Sequence, residues 1–137
     1  MKKFNDAQFD RESVKVRGFK RHLASWKYSM QGLAYAYKYE QSVLIHFVCT
    51  IIAVIGGILL DISLSEWLLI FISLGSVLAI ELINTAIEAT VDLVTTKIHP
   101  LAKIAKDCGS AATFVCGLIA TVISLGIFIP KLIEFIR

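Results

Sequence analysis

Three apolar stretches decide what this chain can fold into. Residues 43–60 are uncharged and interrupted only by His46 and Thr50, a run of about 18 residues, enough to cross a hydrocarbon layer as a helix. Residues 67–79 open a second run, which continues without a helix breaker through Ile80, Glu81, Leu82, Ile83 and Asn84 to Thr95. Residues 111–129 form a third, bounded by Pro130. A lipid interior satisfies no backbone polar group, so such runs can only be helices. The fold class expected is therefore an all-α membrane protein with three transmembrane helices, at residues 43–60, 66–95 and 110–129, in a single domain over residues 19–137.

Ahead of these spans the pattern changes. Phe19, Leu23, Trp26, Met30, Leu33 and Tyr37 recur at spacings of four and three, with Lys20, Arg21, Lys27 and Lys38 mostly elsewhere on the wheel. This predicts an amphipathic helix over 19–40 lying in the headgroup layer. Residues 1–18 alternate charge without periodicity and read as a mobile basic tail. Nine of the fourteen Lys and Arg lie in residues 1–40. Beside apolar spans, such a basic arm points to anionic lipid headgroups and away from nucleic acid. The mean hydropathy of +0.70 agrees. Cys49, Cys108 and Cys116 make no C-x-x-C pair and read as small packing residues.

The connections set the orientation. Residues 61–66 carry two acids and no Lys or Arg, whereas residues 96–107 contain Lys97, Lys103 and Lys106. The positive-inside rule puts the amino terminus and the second link in the cytoplasm and the carboxyl terminus outside, as a multi-pass protein of the plasma (inner) membrane. No signal peptide is apparent, and the spans themselves are expected to direct insertion. Ser65 is the expected N-cap of the second span, and residues 101–107 are expected to be a basic connection before the third.

Chemistry concentrates on one face of the second span. At about 100° per residue, Asn84, Glu88 and Asp92 fall within about 60° of Glu81. Counting about 1.5 Å per residue from Trp67, Glu81 lies about 21 Å deep, Glu88 about 31 Å and Asp92 about 37 Å, against a core of about 30 Å. Glu81 is thus inside the cytoplasmic leaflet, Glu88 at its boundary and Asp92 in water. Glu40 stands at the same boundary. An acid within the core needs a partner or a proton, which marks Glu81 as functional, and nothing nearby in sequence supplies a partner. His46, alone near the start of its span, reads as an interfacial side chain.

Two carboxylates at a water boundary suit Mg²⁺ bridging nucleotide phosphates, with Lys103 and Lys106 supplying positive charge and Glu81 taking the proton of a lipid hydroxyl. The same lysines serve equally as topology determinants, and Asn84 as an interhelical hydrogen-bonding residue. Proton-linked transporters and channel subunits also place acids in membrane helices, so spacing alone leaves that reading open. A P-loop and a protein-kinase glycine loop are absent from the sequence.

The segment Glu81-Leu82-Ile83-Asn84-Thr85-Ala86-Ile87-Glu88, followed by Asp92 and by Ala105-Lys106-Asp107-x-Gly109-Ser110, resembles the signature of the small bacterial integral-membrane lipid kinases, the diacylglycerol and undecaprenol kinases. Tyr28-Ser29-x-x-Gly32-Leu33 and Glu40 extend the likeness. The resemblance implies ATP- and Mg²⁺-dependent phosphorylation of a membrane lipid alcohol by a homotrimer with active sites shared between protomers. It implies Glu81 as general base with Asn84 beside it, and Glu40 and Glu88 as metal ligands. Arg21, Tyr28, Glu40, Glu88, Lys97, His99, Lys106 and Asp107 would contact ATP, and Arg21, Glu81 and Ser110 the lipid. Asp92-Leu93, His99-Pro100-Leu101-Ala102-Lys103 and Pro130-Lys131-Leu132 look more like the undecaprenol branch, with diacylglycerol as the alternative acceptor.

Overall fold

The computed structural model describes the backbone from Phe19 and the side chains from Arg21 onward; the expected tail at 1–18 lies outside the described residues. Four helices follow in order: α1 (Phe19–Tyr39), α2 (Gln41–Leu59), α3 (Leu64–Val94) and α4 (Pro100–Ile136). Contacts divide the chain after Tyr35 into two units. The first holds most of α1, where Leu23, Trp26 and Met30 are exposed, as an amphipathic helix without a packed partner in its own unit leaves them. The second unit, Ala36–Arg137, holds α2, α3 and α4, each long and apolar enough to cross a membrane.

Within this second unit α3 packs chiefly on α4 and less on α2. The buried residues of α3 are Ile70, Ser73, Val77, Glu81 and Thr85, a stripe at spacings of three and four that keeps one helix face in the seam. Toward one end of the seam, Ala53, Ile62, Ile70 and Ile127 form the apolar core, with Trp67, Leu74, Ile123 and Phe128 packed around it.

The turn between α2 and α3 is fixed by backbone chemistry. Asp61 takes a left-handed conformation at φ 47°, which Asp tolerates better than most residues. The Ile62 N–H then reaches the Gly57 carbonyl at 3.1 Å and the Asp61 N–H the Ile58 carbonyl at 3.4 Å, a Schellman closure of α2. Ser63, rather than the expected Ser65, caps α3. Its N–H donates to Glu66 Oε2 at 2.6 Å and its Oγ accepts from the Glu66 N–H at 3.4 Å. Only Ser63 stands three residues before Glu66, the spacing a capping box requires.

The third span differs most from expectation. It begins at Pro100, and residues 101–107 are its first turns instead of a connection. Proline is well placed there, because the first helical residue needs no N–H partner. The helix also continues through Pro130 to Ile136. Pro130 removes the N–H that would bond the Gly126 carbonyl, yet the residues beyond it are mostly apolar, and in lipid the helix remains their only satisfied conformation.

Gly57 sits where α2 meets the turn and α3. A Cβ there would lie 2.6 Å from Trp67 Cη2 and 2.9 Å from Ile62 Cδ1, whereas one at Gly56 would meet the Phe128 ring at 3.4 Å. Gly57→Ala is therefore expected to cost about 1–3 kcal/mol through overpacking, and Gly56→Ala to be neutral or stabilising. Thermal unfolding of the two variants in one detergent separates these outcomes.

Candidate functional site

The carboxylate face of α3 is held by its two neighbours. Glu81 belongs to the buried stripe, its side chain 7% exposed, and its Oε1 lies 3.3 Å from Nε2 of His46 on α2. The partner absent nearby in sequence is thus supplied across the bundle, and His46 is more than an interfacial side chain. A register count exposes the pairing. His46 lies six residues, about 9 Å, beyond Glu40, and Glu81 seven residues, about 10 Å, deeper than Glu88. With Glu40 and Glu88 at one boundary, His46 and Glu81 fall at one depth.

One turn from Glu81, Thr85 ties its hydroxyl to the Glu81 carbonyl at 3.0 Å, which satisfies a buried hydroxyl inside the helix. Asn84 Nδ2 donates to Glu88 Oε1 at 3.1 Å, an i, i+4 bond along the face. Its other amide atom, Oδ1, is buried and has no hydrogen-bond partner. This oxygen points at Gly109 of α4, where a Cβ would come within 2.2 Å of it. Glycine at 109 is therefore what admits the Asn84 amide between the two helices.

Toward the α3–α4 turn the site becomes polar and exposed. Lys106 Nζ donates to Asp92 Oδ1 at 2.6 Å across the helices, and Lys103 pairs with Asp107 one turn away. His99 caps α4, its Nδ1 accepting from the Leu101 N–H at 3.2 Å. That bond leaves Nε2 as the protonated nitrogen of the neutral ring, available to a ligand. Lys97 is exposed in the same turn and Ser110 on α4. An apolar cavity of about 400 Å³ lies beside His99, lined by Thr90, Val91, Val94, Leu101, Ala102 and Ala105 among others.

Glu40 follows α1 and precedes α2 as its N-cap, yet its carboxylate makes no capping bond, so its oxygens remain open to a ligand. Arg21 and Tyr28 are exposed on α1 in the first unit.

The oxygen donors fit a hard cation. Glu88 and Glu40 offer carboxylates, the donor chemistry Mg²⁺ prefers, while the Asn84 Oδ1 is closed off against Gly109. Among the described residues, no three His, Cys, Asp or Glu side chains converge as a metal cage. Mg²⁺ needs none, because it commonly takes one or two carboxylates and completes its shell with water and substrate phosphates.

Residues 27–128 match the family described as prokaryotic diacylglycerol kinase. The chain belongs to that family. It is 40% identical to an undecaprenol kinase of Bacillus subtilis over 112 residues, covering 82% of this chain and 91% of that protein. It is 40% identical to a diacylglycerol kinase of Pseudomonas aeruginosa over 105 residues, covering 77% and 85%, and 33% identical to the Escherichia coli diacylglycerol kinase, covering 77% and 86%. The resemblance read from the Glu81-to-Glu88 segment is borne out. As a member of the prokaryotic diacylglycerol kinase family the chain is a lipid kinase, and the transporter reading of its acidic face falls away.

If Gly109 exists to admit Asn84, Gly109→Ala should displace the amide from Glu88 and lower lipid phosphorylation by about tenfold or more, with a stability loss of about 1–3 kcal/mol. Adding Asn84→Ala should restore the stability without the activity. Thermal unfolding and phosphate transfer on the single and double variants provide the check.

Proposed function

We propose that the protein transfers the γ-phosphoryl group of ATP to undecaprenol, with Mg²⁺, to give undecaprenyl phosphate and ADP. The observation that carries the reading is the graded face of α3. One helix presents a buried carboxylate at Glu81 and, about one and two turns toward its end, the hydrogen-bonded pair Asn84–Glu88.

Glu81 takes the proton as the lipid hydroxyl oxygen attacks the γ-phosphorus and the bond from that phosphorus to the ADP oxygen breaks. General-base assistance of this kind is worth about 10² to 10⁴ in rate. Asn84 and its bond to Glu88 keep the neighbouring carboxylate aimed along the helix, and Glu40 joins it in holding the metal. Bound there, Mg²⁺ supplies charge neutralisation on the phosphates. Lys106 and Lys97 meet the remaining phosphate charge, with Lys106 exchanging Asp92 for the nucleotide. His99 offers its free N–H, and the family resemblance assigns Arg21, Tyr28 and Asp107 to ATP as well. The same resemblance assigns Ser110 and Arg21 to the lipid.

Three protomers assemble, with each site shared between neighbours. Support for this comes from the apolar surface of α2, α3 and α4, most of which stays uncovered within a single chain. The protein sits in the plasma membrane, amino terminus and site in the cytoplasm and carboxyl terminus outside.

Undecaprenol is favoured over diacylglycerol by the 91% coverage of the Bacillus relative and by the segments at Asp92-Leu93, 99–103 and 130–132. The Pseudomonas relative, equally identical over a shorter stretch, favours diacylglycerol as the second reading. Purified protein offered both lipids at equal mole fraction with ATP and Mg²⁺ is expected to phosphorylate undecaprenol faster. A faster rate on diacylglycerol selects the second reading, and transfer to neither lipid contradicts both.

A further inference from the structure

The membrane interior of the second unit contains one basic side chain. From Gln41 to Val94 there is no Lys or Arg, and His46 is the sole His. On α4 no charged or His residue occurs between Asp107 and Lys131, where the titratable groups are Cys108 and Cys116. Glu88 and Asp92, the remaining acids of that end of α3, lie toward its carboxyl end. Among the described residues of one chain, Glu81, in the buried seam, therefore has one ion-pair partner, and that group is 3.3 Å away.

The chemistry of the contact fixes its direction. An ionised carboxylate only accepts hydrogen bonds, so the nitrogen that faces it, Nε2, must carry the hydrogen. At 3.3 Å the contact is longer than an ordinary N–H···O bond, and such contacts in unliganded sites commonly tighten once substrate arrives. Without it, the Glu81 carboxylate would have no hydrogen-bond donor facing it from α2 in the buried seam.

We propose that His46 is a positioning residue for Glu81, its Nε2–H engaging Oε1 so that Oε2 is left ionised and turned to the lipid hydroxyl. This rests on the reading of Glu81 as the base. The proton of the hydroxyl goes to Oε2, while the imidazole keeps its own hydrogen throughout and undergoes no net change.

Two substitutions of similar polarity isolate the geometry. The amide nitrogen of Gln reaches the place of the imidazole Nε2, whereas that of Asn reaches only the place of Nδ1. In the full-length protein in bilayers, His46→Asn is expected to lower kcat by about tenfold or more, the value of a hydrogen bond to a charged group, with KM for ATP unchanged. His46→Gln is expected to retain most of the turnover. Dicyclohexylcarbodiimide, which modifies protonated carboxyls in apolar surroundings, gives a reading independent of activity. Near neutral pH it should label Glu81 faster in His46→Asn than in wild type or His46→Gln, as followed by peptide mass spectrometry. Wild-type turnover and labelling in His46→Asn would overturn the proposal, as would a loss in His46→Gln equal to that in His46→Asn. If the wild-type protein phosphorylates no lipid, the kinase reading fails by itself, and the labelling contrast still decides whether His46 governs Glu81.

Discussion

An acid buried in an apolar helix has to be accounted for before anything else in this fold. Glu81 occupies the α3 stripe that otherwise holds Ile70, Ser73, Val77 and Thr85, where an aliphatic side chain would pack at no electrostatic cost. A carboxylate there gives up its water and needs a polar partner from the protein in exchange. The bundle resolves the conflict by bringing His46 of α2 against it. The Schellman turn at Asp61 and the capping box at Ser63 set where α2 ends and α3 begins. The register of the two helices, and with it the meeting of His46 and Glu81, depends on that turn.

The second support is the contact of α3 with α4. Because α4 starts at Pro100, Lys106 and Gly109 are successive turns of a rigid helix, one tied to Asp92 and the other closed over the Asn84 amide. A flexible connection at 101–107 would hold neither. The face of α3 is thus braced by α2 near Glu81 and by α4 at Asn84 and Asp92. Charge increases along it from the seam to the exposed turn, as a site joining a lipid to a water-borne nucleotide requires.

Much of this was legible in the sequence, for reasons that are local. Helical periodicity put Glu81, Asn84 and Glu88 on one face, and the Asn84–Glu88 bond is the i, i+4 contact that such a face permits. The apolar runs gave three spans because lipid leaves the backbone no alternative. What escaped was either tertiary or a matter of competing signals. The His46–Glu81 and Lys106–Asp92 pairs join different helices and needed a register to be seen. Ser63 and Ser65 both resemble caps, and only the distance to Glu66 separates them. Pro130 carries the usual mark of a helix end, but that rule is strongest where water can satisfy the freed carbonyl, and here apolar sequence follows it. Residues 101–107 looked like a link because their lysines weakened the apolar pattern, although Pro100 already marked a helix start.

The central claim is a division of labour by depth along α3, and nucleotide binding measured beside phosphate transfer tests it most directly. In Glu81→Gln, transfer is expected to fall by about 10² or more while ATP and Mg²⁺ still bind. In Glu88→Gln, nucleotide binding itself is expected to weaken, with partial recovery at high Mg²⁺. Loss of nucleotide binding in Glu81→Gln, or an unchanged metal dependence in Glu88→Gln, would contradict the account.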